Sequence, residues 1–154
     1  MQKIRVAVVG VGHLGQHHAR IYSENPKCEL VAVVDTDKKT AQRIAKQYGT
    51  KPLYDYKALF GHIDACSIAV PTIGHYAIAR DCLEQGIHLL VEKPITSTVS
   101  EAHQLIDLAH ANTRILQVGH IERFNAAVMR LRQVVTEPAF IEGHRLGPYD
   151  ARVK

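Results

Sequence analysis

Gly10-Val11-Gly12-His13-Leu14-Gly15 has the spacing GxGxxG and directly follows an apolar run at 4–9, with a helix-forming segment behind it. That arrangement suits a diphosphate. Gly10 permits a tight turn, Gly12 lets the backbone approach an anion with no side chain in the way, and Gly15 lets helix and strand touch. The anion rests on backbone N–H groups at the helix N-terminus, in the turn that holds His13 and Leu14. Asp35 closes the next apolar run about twenty residues after Gly15, where a carboxylate accepts hydrogen bonds from an adenosine ribose. The spacing therefore favours NAD. In NADP a ribose phosphate would face that carboxylate, a repulsion of roughly 4 kcal/mol at about 4 Å and an effective dielectric near 20. NADP stays possible through Lys38 and Lys39, while Asp37 is better placed to cap a helix.

Three further segments carry polar residues after apolar runs. They are Val70-Pro71-Thr72 with His75, then Val91-Glu92-Lys93-Pro94, then Val118-Gly119-His120-Ile121-Glu122-Arg123-Phe124-Asn125. In a doubly wound sheet the carboxyl ends of the strands form the ligand crevice, so one site would take in these segments, the glycine turn and Asp35. Pro71 and Thr72 are expected to line a cofactor groove. His75 reads equally as a ligand contact or as a first-turn helix residue, and Asn125 as a site residue or an ordinary cap.

The elements that position these residues follow from hydrophobic period. Five short Val- and Ile-rich runs, 4–9, 30–34, 65–70, 87–91 and 115–118, have the composition of parallel strands buried on both faces. Between them, Ala41, Ile44, Ala45 and Tyr48, and again Ala102, Leu105, Ile106 and Ala109, repeat at helical spacing. Thr98 with Glu101 reads as a capping box, and Gly86 stands where a helix should end. The order predicts an α/β fold with a doubly wound parallel sheet of the Rossmann type over 1–121. Phe124, Ala127, Val128, Leu131, Val134 and Val135 predict a further amphipathic helix, and 139–146 a strand. Residues 122–154 are thus expected to begin a truncated second α/β domain, with the last 15 or so residues frayed or paired with another molecule.

Composition narrows the class. With 46% hydrophobic and 22% charged residues the chain has the makeup of a globular domain, and no apolar run is long enough for a membrane span. The net charge of +4 is scattered, and only 6% of residues are aromatic, so nucleic acid is not an expected partner. Cys28, Cys66 and Cys82 form no CxxC pair and read as small core residues of a cytoplasmic protein. His13 and His17 have the spacing of a metal pair without a third ligand, so no metal is expected. His13, His17 and His18 are placed on the first helix, His103 and His110 on a helix surface, and His120 is the histidine expected near the cofactor.

With the glycine turn, the Glu92-Lys93-Pro94 segment and the run from Gly119 to Asn125, the sequence resembles the glucose-fructose oxidoreductase and inositol dehydrogenase family (Gfo/Idh/MocA) over essentially its whole length. The run at 119–125 is similar to the branch that oxidises nucleotide sugars such as UDP-N-acetylglucosamine, which often has proline where this chain has Ala126. The resemblance implies a sugar or nucleotide-sugar dehydrogenase that passes hydride between a secondary alcohol and NAD. It implies that Lys93 is catalytic, set near nicotinamide and substrate hydroxyl, where an ammonium stabilises developing alkoxide charge. A cis Lys93-Pro94 bond oriented by Glu92 is implied as well, with His120, Arg123 and Asn125 toward the substrate. A larger second domain would mediate homo-oligomerisation and supply the histidine that takes the substrate proton. The alternative reading is a stand-alone, non-catalytic NAD(H)-binding module or partner subunit.

Overall fold

The structure is a computed structural model that describes residues 2–144. Six strands, β1 (Ile4–Val9), β2 (Cys28–Val34), β3 (Lys51–Leu53), β4 (Ala65–Ile68), β5 (His88–Val91) and β6 (Leu116–Val118), form one sheet in the order β3-β2-β1-β4-β5-β6. All five pairings are parallel. The order reverses between β1 and β4, which places a crevice at their carboxyl ends. Helices α1 (Gly15–Glu24), α2 (Lys38–Tyr48), α3 (His75–Glu84) and α4 (Val99–Ala111) make the crossovers.

Alternation along the strands divides the core into two layers. Val8 and Val33 pack with Val11, Ala19, Ile44 and Ala45 on the face covered by α1 and α2. Ala7, Val9, Ala32 and Val34 face the other way, with Ile68, Leu83, Leu105 and Ala109. Each such Val, Ile or Leu side chain stabilises the fold by about 1.5–3 kcal/mol through burial. Cys66 and Cys82 belong to this core, while Cys28 is half-buried.

The helix ends have the chemistry read from the sequence. Thr98 and Glu101 form the reciprocal capping box of α4, Asp37 caps α2, and Gly86 takes a left-handed φ of 72° just after α3. The sheet has six strands where five apolar runs predict five. The addition, β3, is an edge strand of Lys51, Pro52 and Leu53, and proline is tolerated there because no inner strand requires its missing N–H.

Contacts divide the chain into a unit ending at His120 and a second beginning at Ile121. In the second, Ile121–Phe124 forms a 3-10 turn and Ala126–Val134 forms α5. The helix starts after Phe124 because the Asn125 side chain caps it, accepting from the Ala127 N–H at 2.9 Å. The strand expected at 139–146 is absent over 139–144, which is irregular. A strand needs a facing row of backbone donors and acceptors, and no described segment supplies one. Residues 145 and 146, and most of the segment expected to fray or pair, lie outside the described residues.

Candidate functional site

Two glycines of the turn are required by the fold itself, and the third stands in open space. Gly10 has φ of 83°, and a Cβ there would stand 2.7 Å from the Val70 nitrogen. A Cβ on Gly15 would stand 1.8 Å from the Gly10 carbonyl oxygen. At Gly12 a Cβ would meet nothing within 4 Å, so the backbone there is open. Leu14 precedes α1, and no side chain caps the helix and no acidic residue stands in its first turn. An anion fits that end, because the helix dipole and unfilled N–H groups both favour it.

Asp35 sits just past β2 with its carboxylate held at both oxygens. Oδ2 accepts from the Val11 N–H at 2.9 Å and Oδ1 from the Asp37 N–H at 3.0 Å. Asp37 turns away to α2, where its bond from the Thr40 hydroxyl holds its carboxyl below the usual range. Lys38 lies over the Tyr54 ring, 5.3 Å from its centre. A cleft of about 710 Å³ brings together Gly10, Gly12, His13, Leu14, Asp35 and Pro71. That volume is in the range of cofactor and small-ligand sites. Thr36, Tyr54, Ile73 and Ile78 also line it, and Ile73 is 88% exposed.

A second group of residues surrounds the loop after β5. Lys93 and Pro94 are exposed and joined by a cis peptide bond. Glu92 beneath them is buried at 7%, and its Oε2 accepts from the Lys93 N–H at 3.2 Å. Its Oε1 lies 3.1 Å from His18 Nε2. The carboxylate fills the space beside Gly119, where a Cβ would come within 2.8 Å of Oε1, so the glycine after β6 is explained by Glu92. His75, only 1% exposed, sets its ring nitrogens 2.9 Å from the Pro94 carbonyl oxygen and 2.8 Å from that of Val70.

The sequence-read residues thus fall into groups. Gly15, Thr72, His75, Glu92, Lys93 and Pro94 lie in the same unit as the cleft without lining it. Thr72 opens a 3-10 turn, and His75 is the first residue of α3, turned inward to bind loop carbonyls. His120 is exposed at the end of the first unit. Arg123 and Asn125 belong to the second, where Asn125 is the cap of α5. His13 precedes α1 rather than lying on it, and His18 lies on α1 as expected but has distant partners: Ser67 and Glu92 lie within hydrogen-bond reach of its two ring nitrogens. His18, Tyr22 and Ser67 are missed by a reading for motifs. A signal for them exists, because a serine inside the apolar run 65–70 requires a buried partner.

An all-parallel doubly wound sheet with a glycine turn at its switch point, a carboxylate after β2 and a cleft between them defines a Rossmann dinucleotide-binding domain. The chain belongs to the oxidoreductase family with an NAD-binding Rossmann fold, Gfo/Idh/MocA, whose profile matches residues 4–120. It is 36% identical to the UDP-N-acetylglucosamine 3-dehydrogenase of Acidithiobacillus ferrooxidans over 153 residues, 99% of this chain and 48% of that protein. It is 32% identical to the D-glucoside 3-dehydrogenase of Escherichia coli, covering 86% of this chain and 39% of the relative. The solved structure of the Acidithiobacillus enzyme superposes with a TM-score of 0.80 at 37% identity, over 86% of this chain and 43% of that one. GenD2 from gentamicin A biosynthesis, solved in complex with NAD, superposes with a TM-score of 0.81 at 28% identity, over 86% and 39%. The chain spans less than half the length of these relatives. No helix among the described residues is long and apolar enough to cross a membrane.

Proposed function

We propose that this chain is the cofactor-binding part of an NAD-dependent sugar or nucleotide-sugar dehydrogenase, with Lys93 as its catalytic residue. The observation that carries the reading is a shared sheet edge. The glycine turn after β1, with open space at Gly12, and the Lys93 loop after β5 are separated only by β4 along the carboxyl ends of one parallel sheet. The relatives named as dehydrogenases of UDP-N-acetylglucosamine and D-glucosides point to the substrate class.

When bound, the nicotinamide supplies the hydride acceptor. The turn at 10–15 holds the phosphates, and Asp35 accepts from the ribose hydroxyls. Lys93, exposed above the buried Glu92, orients the substrate hydroxyl and stabilises negative charge developing on its oxygen. The group that takes the hydroxyl proton is assigned to the remainder of a chain of the relatives' length. NAD is preferred over NADP because the Asp35 carboxylate lines the cleft and would repel a ribose phosphate, and because Lys38 is directed onto Tyr54.

Homo-oligomerisation through the second unit is supported by the exposed apolar residues Phe124, Leu131 and Val134, and a cytoplasmic location by three free thiols. In a chain that also carries the substrate-binding part, Lys93→Ala should cut turnover of a nucleotide sugar by about a hundredfold or more with NADH affinity nearly intact. Unchanged turnover would remove Lys93 from the mechanism.

A further inference from the structure

We propose that His18 is a positioning residue that ties the Lys93 loop to the phosphate-binding helix through Glu92. The inference rests on the reading of Lys93 as catalytic. His18 lies one turn into α1, the helix opened by the glycine turn, and its side chain is 17% exposed. Its Nε2 is 3.1 Å from Glu92 Oε1, and the other Glu92 oxygen accepts from the backbone N–H of Lys93 at 3.2 Å. One carboxylate therefore joins α1 to the loop after β5.

The far side of the ring fixes its orientation. His18 Nδ1 lies 3.1 Å from Ser67 Oγ, which in turn lies 2.7 Å from the Tyr22 hydroxyl. Burial pushes the Tyr22 phenol above its usual range, so it keeps its proton. A carboxylate only accepts, so His18 donates to Glu92 from Nε2, and Ser67 and the Tyr22 hydroxyl, each able to donate and accept, continue the row from Nδ1. Ser67 is 0% exposed and Glu92 7%, so losing the histidine leaves polar groups with no ready exchange to water. Gly119 closes the other side of the carboxylate, since any Cβ there would strike it. Glu92 is thus confined, and the backbone of Lys93 is confined with it.

The test is hydrogen exchange of the Lys93 amide, followed by NMR on this chain. His18→Leu fills similar space without a donor and should speed that exchange by about tenfold or more, while the amide of Val8 in β1 stays protected. His18→Gln carries an N–H donor at a similar reach and should restore Lys93 exchange to within about threefold of the parent. That rescue is not expected if His18 only fills space. Exchange at Lys93 unchanged by His18→Leu, or as fast in the glutamine variant as in the leucine variant, overturns the proposal.

If the leucine variant does not fold, His18→Met replaces it: its side chain fills similar space and has no donor, so exchange should again accelerate by about tenfold, and unchanged exchange counts against the proposal. These readouts need no turnover. Loss of the catalytic reading would show instead as intact activity in Lys93→Ala, a separate result.

Discussion

The Asp35 carboxylate accepts a hydrogen bond from the Val11 N–H at 2.9 Å, so the residue proposed to meet the ribose also holds the glycine turn in shape. Val11 is fully buried, and its N–H has no water to replace that acceptor. Asp35→Ala should therefore lower unfolding free energy by about 1–3 kcal/mol and weaken NADH binding at the same time. Urea unfolding and calorimetric titration of the same variant check both. Weakened binding at full stability would separate the carboxylate from the turn.

Gly12 and Gly15 should respond differently to the same added methyl. Gly12→Ala meets nothing within 4 Å, so unfolding free energy should stay within about 0.5 kcal/mol of the parent while NADH affinity falls by tenfold or more. Gly15→Ala would place its Cβ 1.8 Å from the Gly10 oxygen, and stability should fall by several kcal/mol, with binding lost because the turn is lost. Retained NADH binding in Gly12→Ala would mean that the phosphates do not approach that backbone.

Burial, and next the hydrogen bond to Asp81, push the Tyr56 phenol up to about 12. An unfolded tyrosine titrates near 10, so between about pH 10 and 12 the folded chain keeps a proton that the unfolded chain has lost. Stability from this group is complete below about pH 10 and declines as pH rises through about 12. Tyr56→Phe should make the loss of stability between about pH 9 and pH 11 shallower, as measured by urea unfolding at the two values. An equal slope in parent and variant would contradict the shift.

Much of the fold is legible because local signals agree with the long-range order. The runs at 4–9 and 65–70 are long, β-branched and apolar, and the Thr98-Glu101 box and the Asp37 cap are read directly from residue type and spacing. β3 is hidden because Lys51, Pro52 and Leu53 carry neither an apolar run nor an alternation, and only the free edge of β2 makes them a strand. The segment at 139–144 errs in the opposite direction, since its alternation has the period of a strand but meets no partner among the described residues.

The site divides along the same line. The glycine turn and Asp35 are legible because the GxGxxG spacing between strand and helix, and an acid at the end of the next strand, are local in sequence. His18 is not, because its partners are 49 and 74 residues away and meet it only when α1 packs on the sheet beside β4 and β5. His75 is half legible: its place at the start of α3 follows from the sequence, but the two carbonyls around its ring come from loops after different strands.

Calorimetric titration of this chain with NADH and, separately, with NADPH tests the cofactor site most directly, since the turn and Asp35 both lie within it. NADH binding at least about tenfold tighter than NADPH, lost in Gly12→Ala, is the predicted result. Equal affinity for the two, or NADH binding that survives Gly12→Ala unchanged, would contradict an NAD site built on the glycine turn and Asp35.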